Sequence, residues 1–375
     1  MKTEKRILIL DQYSFVGGGQ TILVQIARAI QNIPTVEQVI FAIPFGGALE
    51  DKIRRDFPNR AQLTPIPEVK ISQGKKNLFD GVRLLTYTLQ LCFRLFLEAF
   101  KSDVLYANGP RLFPAVMILS TLLRKPAIYH IHMDYSGLEK RLISLAIRLP
   151  YTRSAVAISD FVLERLADSR PELLGHSKLV KVENSLSQSF ERLPWKDRFE
   201  NRLGPINLVC LGVIRPEKGQ DLLVDFVESD PRFHLHIVGR EGSGCEQWVE
   251  SLRKRAASNV TFHPFSDDIL SLLDQVSAQI VLVPSRSEGF GLVAIEAMAA
   301  SCLTVVRATG GLPEVAQKTG ALVFQDSVAD LRVLMNQLVQ KSSSELAHLS
   351  RDQYERTLKH YGTARFEQDL ARLFQ

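Results

Sequence analysis

The sequence predicts an α/β protein made of two parallel-sheet domains, and three observations carry that prediction. Short apolar runs alternate with helical patterns through the first half of the chain, as a parallel sheet covered by helices requires. A polar break over residues 185–205, with Pro194, Gly204 and Pro205, interrupts the pattern and reads as an interdomain linker. The alternation then restarts at Ile206. A chain of 375 residues is long enough for two independent cores.

In the first half, RILILD (6–11) reads as a strand, QYSFVGGGQ as its loop, and 21–30 as a helix. VEQVIFAIP, DVLYANG, PAIYHIHMD, AVAIS and KLVKVENS follow as strands, with an apolar helix up to Leu123 and another in DFVLERLAD. Functional residues of such sheets gather at the carboxyl ends of strands. Gly17, Gly18, Gly19, Asn108, His132, Ser159 and Asn184 fall there. In the second half INLVCLG, FHLHIVG, NVTFHPF, AQIVLVP and LTVVRAT are the strands, and residues 343–375 form a charged helical tail. No short-period repeat is present.

The composition, 45% hydrophobic and 23% charged, is that of an ordinary globular protein. The net charge of +5 is uneven. Residues 1–184 hold 25 Lys and Arg against 17 Asp and Glu, and the remainder is slightly acidic. A basic half suits an anionic lipid, nucleic acid or other polyanion. Cys92, Cys210, Cys245 and Cys302 are scattered, with no CxxC pair, which argues against a zinc site or disulfide framework and for a reducing compartment. The start, MKTEKRILIL, runs into a strand without an export-type apolar run. The stretch 82–100 is rich in Leu and Phe, but Arg83, Gln90, Arg94 and Glu98 interrupt it. It reads as a buried or surface-seated helix rather than a membrane span.

The most informative block is VPSRSEGFGLVAIEAMAA, 283–300. An apolar strand ends at Pro284, a glycine-rich turn follows, and a helix begins. That succession presents backbone N–H groups and a positive helix end to an anion. A carboxylate on each side, Glu288 and Glu296, would repel phosphate, so their work is to read hydroxyls or balance positive charge. A sugar nucleotide offers both hydroxyls and phosphates. Other segments carry polar groups in order: the glycine loop 17–19, HIHMD (130–134), LGVIRPEKGQD (211–221), IVGREGSG (237–244), HPFSDDI (263–269) and TGGLPE (309–314). The glycine loop lacks G-x-G-x-x-G spacing, so nicotinamide binding has weak support. His130, His132 and Asp134 alternate onto one side of an extended segment, a conceivable but incomplete metal set.

The block EGFGLVAIE resembles the signature of retaining glycosyltransferase family 4, and RPEKG with TGGLPE extends the resemblance. The resemblance implies a GT-B fold: two Rossmann-like domains facing a central cleft, with a C-terminal helix crossing back to the first. The expected layout is an acceptor domain over 1–190, a nucleotide-sugar domain over 191–355 and the returning helix over 356–375. It implies catalytic roles for Glu288, His132, Lys218 and Arg215. Arg215 is two residues past the family's arginine position, which here is Val213. The donor would be held by Gly18, Gly19, Gly239, Phe265, Ser287, Gly289, Phe290, Gly291, Leu292 and Glu296. Glu296 would take the ribose and Phe265 would lie by the base. Gly310 and Gly311 would support the phosphate loop. No metal and no cofactor are expected beyond the nucleoside-diphosphate sugar. The expected acceptor is a glycan or lipid-linked sugar, in the cytoplasm, with peripheral contact to an anionic membrane and no nucleic acid partner. A basic helix over 138–153, with leucines at 138, 142, 145 and 149, is the expected membrane contact.

Overall fold

The apolar runs assemble into two all-parallel sheets in the computed structural model, which describes residues 5–58, 61–68, 78–168, 170–173, 175–200, 204–228 and 230–374. The chain divides into two compact units, Met1–Asn184 with Ala364–Gln375, and Ser185–Thr363.

In the first unit β1 (Lys5–Leu10), α1 (Gly18–Gln31), β2 (Val36–Ile43), α2 (Ala48–Asp56), β3 (Ala61–Pro65) and α3 (Leu78–Lys101) come first. Then follow β4 (Val104–Ala107), α4 (Phe113–Leu123), β5 (Ala127–Ile131), α5 (Gly137–Arg148), β6 (Thr152–Ala157), α6 (Asp160–Ala167) and β7 (Leu179–Lys181). The sheet order is β3-β2-β1-β4-β5-β6-β7. Ile7 to Leu10 are fully buried, because helices cover both faces of a central parallel strand and it must be apolar throughout.

The second unit holds α7 (Gln188–Glu191), β8 (Ile206–Leu211), α8 (Gln220–Val227), β9 (Phe233–Val238), α9 (Glu246–Arg255), β10 (Val260–His263) and α10 (Ile269–Gln275). It continues with β11 (Ile280–Val283), α11 (Leu292–Ala299), β12 (Leu303–Arg307), α12 (Leu312–Thr319), β13 (Leu322–Phe324), α13 (Val328–Val339) and α14 (Ser343–Tyr361). Its order is β10-β9-β8-β11-β12-β13, over a core that includes Phe226, Phe233, Leu282 and Val305.

Each sheet reverses its winding once, beside β1 and β4 in one unit and beside β8 and β11 in the other. At such a point neighbouring loops diverge and leave a crevice at the carboxyl ends of the strands.

Three expectations need correction. The first helix begins at Gly18, not Thr21, so Gly18 and Gly19 form its opening turn. The described part of the 185–205 break is no free linker. Lys196 N donates to Ser301 Oγ (3.0 Å) and Arg198 Nε to Ala300 O (2.7 Å), while Trp195 packs on the second core; residues 201–203 lie outside the described part. The tail is two helices. Gly362 ends α14, and α15 (Thr363–Phe374) follows. Glu191 accepts from Thr363 N and Oγ1 at this break. Apart from Thr363, α15 belongs to the first unit. There Phe374 is buried and stacks on Tyr106, and Arg365 pairs with Glu183 (2.8 Å).

Candidate functional site

In the second unit the site grows from two loops at the switch point. β8 leads through Val213 and Arg215 into a 3₁₀ turn, Pro216–Lys218, closed by Gly219. β11 leads through Pro284 into the loop before α11. The loops touch: a Cβ on Gly219, whose φ is +73°, would stand 2.2 Å from Pro284 O. Arg286 fastens them further, with N donating to Glu217 O (2.8 Å) and the guanidinium bidentate on Asp221, both bonds 2.7 Å. A planar fork matched to a carboxylate fixes orientation as well as distance.

This clamp sets Lys218 against Glu288, Nζ to Oε2, at 2.7 Å, and Ser285 Oγ is 3.5 Å from the same oxygen. Lys218 spends one of three N–H donors there and keeps two for a ligand. Arg215 does not make that contact. Its Nε pairs with Glu217 Oε2 (2.8 Å), so of the two expected cations Lys218 is the one brought to Glu288.

The rest of the loop leads into α11. Ser287 is exposed, Gly289 is buried, and Phe290 is buried edge-on against Tyr361 (5.4 Å). Gly291 is the N-cap, with no side chain capping the helix, and Leu292 is its first residue. Helix N-termini carry partial positive charge and unpaired donors. One turn on, half-buried Glu296 has no side-chain hydrogen bond among the described residues, and burial pushes its carboxyl up to about 7. A half-buried carboxylate with no protein donor keeps its acceptor oxygens for a ligand's hydroxyls. Gly310 and Gly311 lie under this loop, and Gly311 N donates to Glu288 O (3.0 Å). Gly239 follows β9, its N–H on His263 O (3.2 Å), and Phe265 is exposed beyond β10.

The first unit has a second polar cluster at its own switch point. Asp11, after β1, is fully buried. It accepts from Gln20 Nε2 (3.1 Å to Oδ2) and Asn108 Nδ2 (2.5 Å). Burial pushes its carboxyl up to about 6, against the opposing pull of Asn108, Tyr13 and Gln20. Asn108 Oδ1 meets His132 Nε2 at 2.6 Å, and Asn108 Nδ2 also reaches Gly19 O (3.3 Å). With Nδ2 donating to Asp11, Oδ1 is the acceptor, so His132 carries its proton on Nε2. That leaves Nδ1 as an acceptor. Burial lowers His132 to about 4, so the imidazole is neutral at pH 7. His130 stacks on it at 4.1 Å and bonds Tyr106 OH through Nδ1. Asp134 pairs with Arg165 (3.0 Å). His130, His132 and Asp134 therefore have three different partners, and among the described residues no group of three or more His, Cys, Asp or Glu is placed to hold a metal.

Sequence reasoning missed the Arg286–Asp221 clamp and the Asp11–Gln20–Asn108 chain. The signal for the second was a polar residue closing an apolar strand, in RILILD and VLYAN. Nothing in the local sequence marks the first, whose partners are far apart in the chain.

Comparison with known proteins agrees with this architecture. Residues 192–356 match the family model described as glycosyl transferases group 1. The D-inositol 3-phosphate glycosyltransferase of Mycobacteroides abscessus is 44% identical over 140 residues, 33% of this chain and 31% of that protein. The enzyme of the same name from Segniliparus rotundus is 33% identical over 165 residues, 39% and 36% of the two chains. The chain thus spans about a third of the curated relatives it matches. Over 99% of both chains it superposes on Anabaena Alr3699/HepE, crystallised with UDP-glucose, with a TM-score of 0.80 and 18% identity. The fold is GT-B, and the match to the group 1 glycosyltransferase model lies within the second unit.

Proposed function

We propose that this protein is a retaining glycosyltransferase that moves a sugar from a nucleoside-diphosphate sugar to a glycan or lipid-linked acceptor. The observation that carries the reading is the second unit's switch point. It sets a Lys218–Glu288 pair (2.7 Å) and a half-buried Glu296, its carboxyl pushed up to about 7, beside an uncapped helix start. Phosphates, a sugar and a ribose are the groups such a set accommodates. The names of the relatives, inositol-phosphate glycosyltransferases and a glycogen synthase, support the same class.

In this proposal Lys218 and the N–H groups around Ser287 to Leu292 take the diphosphate, with Arg215 turning from Glu217 to join them. Glu296 takes the ribose hydroxyls and Glu288 the donor sugar. Gly239 and Phe265 flank the base. In the first unit, Gly18, Gly19 and His132 are proposed substrate contacts. Leaving-group charge grows as the glycosidic bond breaks, and fixed cations are worth most where that charge develops. The leaving phosphate then accepts the acceptor's proton on the same face, which retains configuration. The proposed mechanism needs no divalent metal, and the proposed setting is surface-polysaccharide assembly in the bacterial cytoplasm.

Thermal shift against UDP, GDP, ADP and TDP, with and without EDTA, tests the reading. One nucleotide at 100 times its dissociation constant should add about 2.7 kcal/mol, unchanged by EDTA. No shift with any of them would overturn it. Product stereochemistry by NMR tests retention.

Glu296→Gln gives a sharper result. Its folded pKa of about 7 lies above the ordinary 4.5, so the folded state binds the extra proton. The penalty is absent below about 4.5 and complete above about 7. Without ligand, the variant should therefore be more stable than wild type at pH 8 by about 1–3 kcal/mol, and equal to it at pH 4. Its affinity for the stabilising nucleotide should fall roughly tenfold, since a charged acceptor becomes neutral. A variant that is no more stable than wild type at pH 8 would refute the burial argument.

A further inference from the structure

Helix α3 presents an apolar face to solvent that the fold does not use. Its inner face, with Leu91, Leu95 and Ala99 fully buried, holds it against the first unit. On the outside Val82, Leu85, Leu89, Phe93, Leu97 and Phe100 recur every three or four residues, all more than half exposed, and Phe93 is 88% exposed. That spacing is one helical stripe, on a helix roughly 36 Å long at 1.5 Å per residue. The adjoining α4 adds exposed Ile118 and Leu122. Scattered exposed leucines are ordinary, but a continuous stripe marks an interaction site.

The charges around the stripe say what covers it. Arg83, Arg94 and Lys101 are exposed on α3, with Arg83 and Lys101 in long contacts to Asp80 and Glu98 (3.9 Å each), and Arg124 is exposed at the end of α4. The acids of α3 are withdrawn: Asp80 is 3% exposed, and the Glu98 side chain is 18% exposed. We propose that the α3–α4 face is a docking surface for an anionic phospholipid bilayer, with the apolar stripe seated among the acyl chains and the cations on the headgroup phosphates.

Two alternatives fit less well. A second copy related by a two-fold axis would set the same patch against itself, bringing Arg83, Arg94, Lys101 and Arg124 towards their counterparts with no exposed acid on these helices to meet them. Spanning the bilayer is excluded for this helix, since no helix among the described residues is long and apolar enough. An amphipathic helix lying in the interface plane combines apolar burial with attraction to anionic lipid. The expected contact helix over 138–153 is less suited. In α5 only Leu138 and Leu145 are exposed among the large apolar side chains, so it has no continuous stripe, and Lys140 Nζ is bonded to Arg165 O and Arg148 to Glu172.

The test is co-sedimentation of the full chain with vesicles of phosphatidylcholine alone or with about a quarter phosphatidylglycerol. Wild type should pellet with the anionic vesicles and far less with the neutral ones. A combined Leu89→Gln, Phe93→Gln, Leu97→Gln variant should lose at least about tenfold in partitioning. Its melting temperature should hold, because these side chains stand in water. Arg83→Gln with Arg94→Gln should weaken binding to anionic vesicles only, and Lys140→Gln with Arg148→Gln should leave it unchanged. Wild type staying in the supernatant, or the triple variant binding as wild type does, would overturn the proposal. So would a dimer in light scattering that the triple variant abolishes, which would assign the face to a second copy. The nucleotide thermal shift, read on the same samples, fails or succeeds independently.

Discussion

Lys218→Ala should lower kcat/KM for sugar transfer by about 10²–10³-fold, with nucleotide affinity falling much less. The split follows from where the charge appears. Lys218 Nζ is 2.7 Å from Glu288 Oε2 before any ligand arrives. Its position is set by a 3₁₀ turn pinned under Pro284 and by the Arg286 clamp. The ammonium is thus oriented in advance, and in the proposed reaction its attraction for the leaving diphosphate would be greatest as the bond breaks. Lys218→Arg should restore only part of the rate, because a planar fork cannot reproduce a compact point charge. Glu288→Gln should also cost turnover, and the double variant should cost less than the two effects combined, since one pair is being broken. Both side chains are partly exposed (33% and 20%), so the pair's contribution to stability should be at most about 1 kcal/mol. A melting curve near wild type together with a collapsed rate is the expected signature. Lys218→Ala with turnover within about threefold of wild type would remove Lys218 from the reaction.

The parts of this molecule that were legible in the sequence are those written in short range. INLVCL and IVLV became β8 and β11 because a strand buried on both faces has to be apolar without alternation. The strand–turn–helix over 280–299 was visible for the same reason, together with its two glutamates. What stayed hidden was written at long range or against propensity. The pairing of β1 with β4, Ile7 opposite Val104, creates the first switch point, yet it depends on contacts nearly a hundred residues apart. The Arg286–Asp221 clamp has the same character. The start of α1 lies ahead of the apolar pattern: glycines are poor helix formers, yet here they open the helix from an N-cap at Gly17. Arg215 looked free to face a phosphate, since alternation puts it on the same side as Val213. The nearby Glu217, two positions along, takes its guanidinium instead.

Gly310→Ala should unfold the second unit more easily and silence the site in one step. Gly310 has φ +62°, and a Cβ there would stand 1.9 Å from the carbonyl oxygen of Glu288. That neighbour is backbone, and Gly311 N already holds the same carbonyl, so the loop cannot yield as a side-chain tip would. The cost combines left-handed strain with displacement of the loop, about 3–5 kcal/mol, or roughly 10 °C for a unit of this size. The control is Gly244→Ala. Gly244 has a similar φ of +75° but nothing within 4 Å of its would-be Cβ, so only the left-handed term of about 1–2 kcal/mol applies. If the melting loss at Gly310 equals that at Gly244, close packing under Glu288 is not what requires glycine. If it is several times larger and nucleotide binding falls with it, the glycine's role is to let one backbone rest against another, and Glu288, the carboxylate proposed to face the donor sugar, is positioned from below by a residue with no side chain.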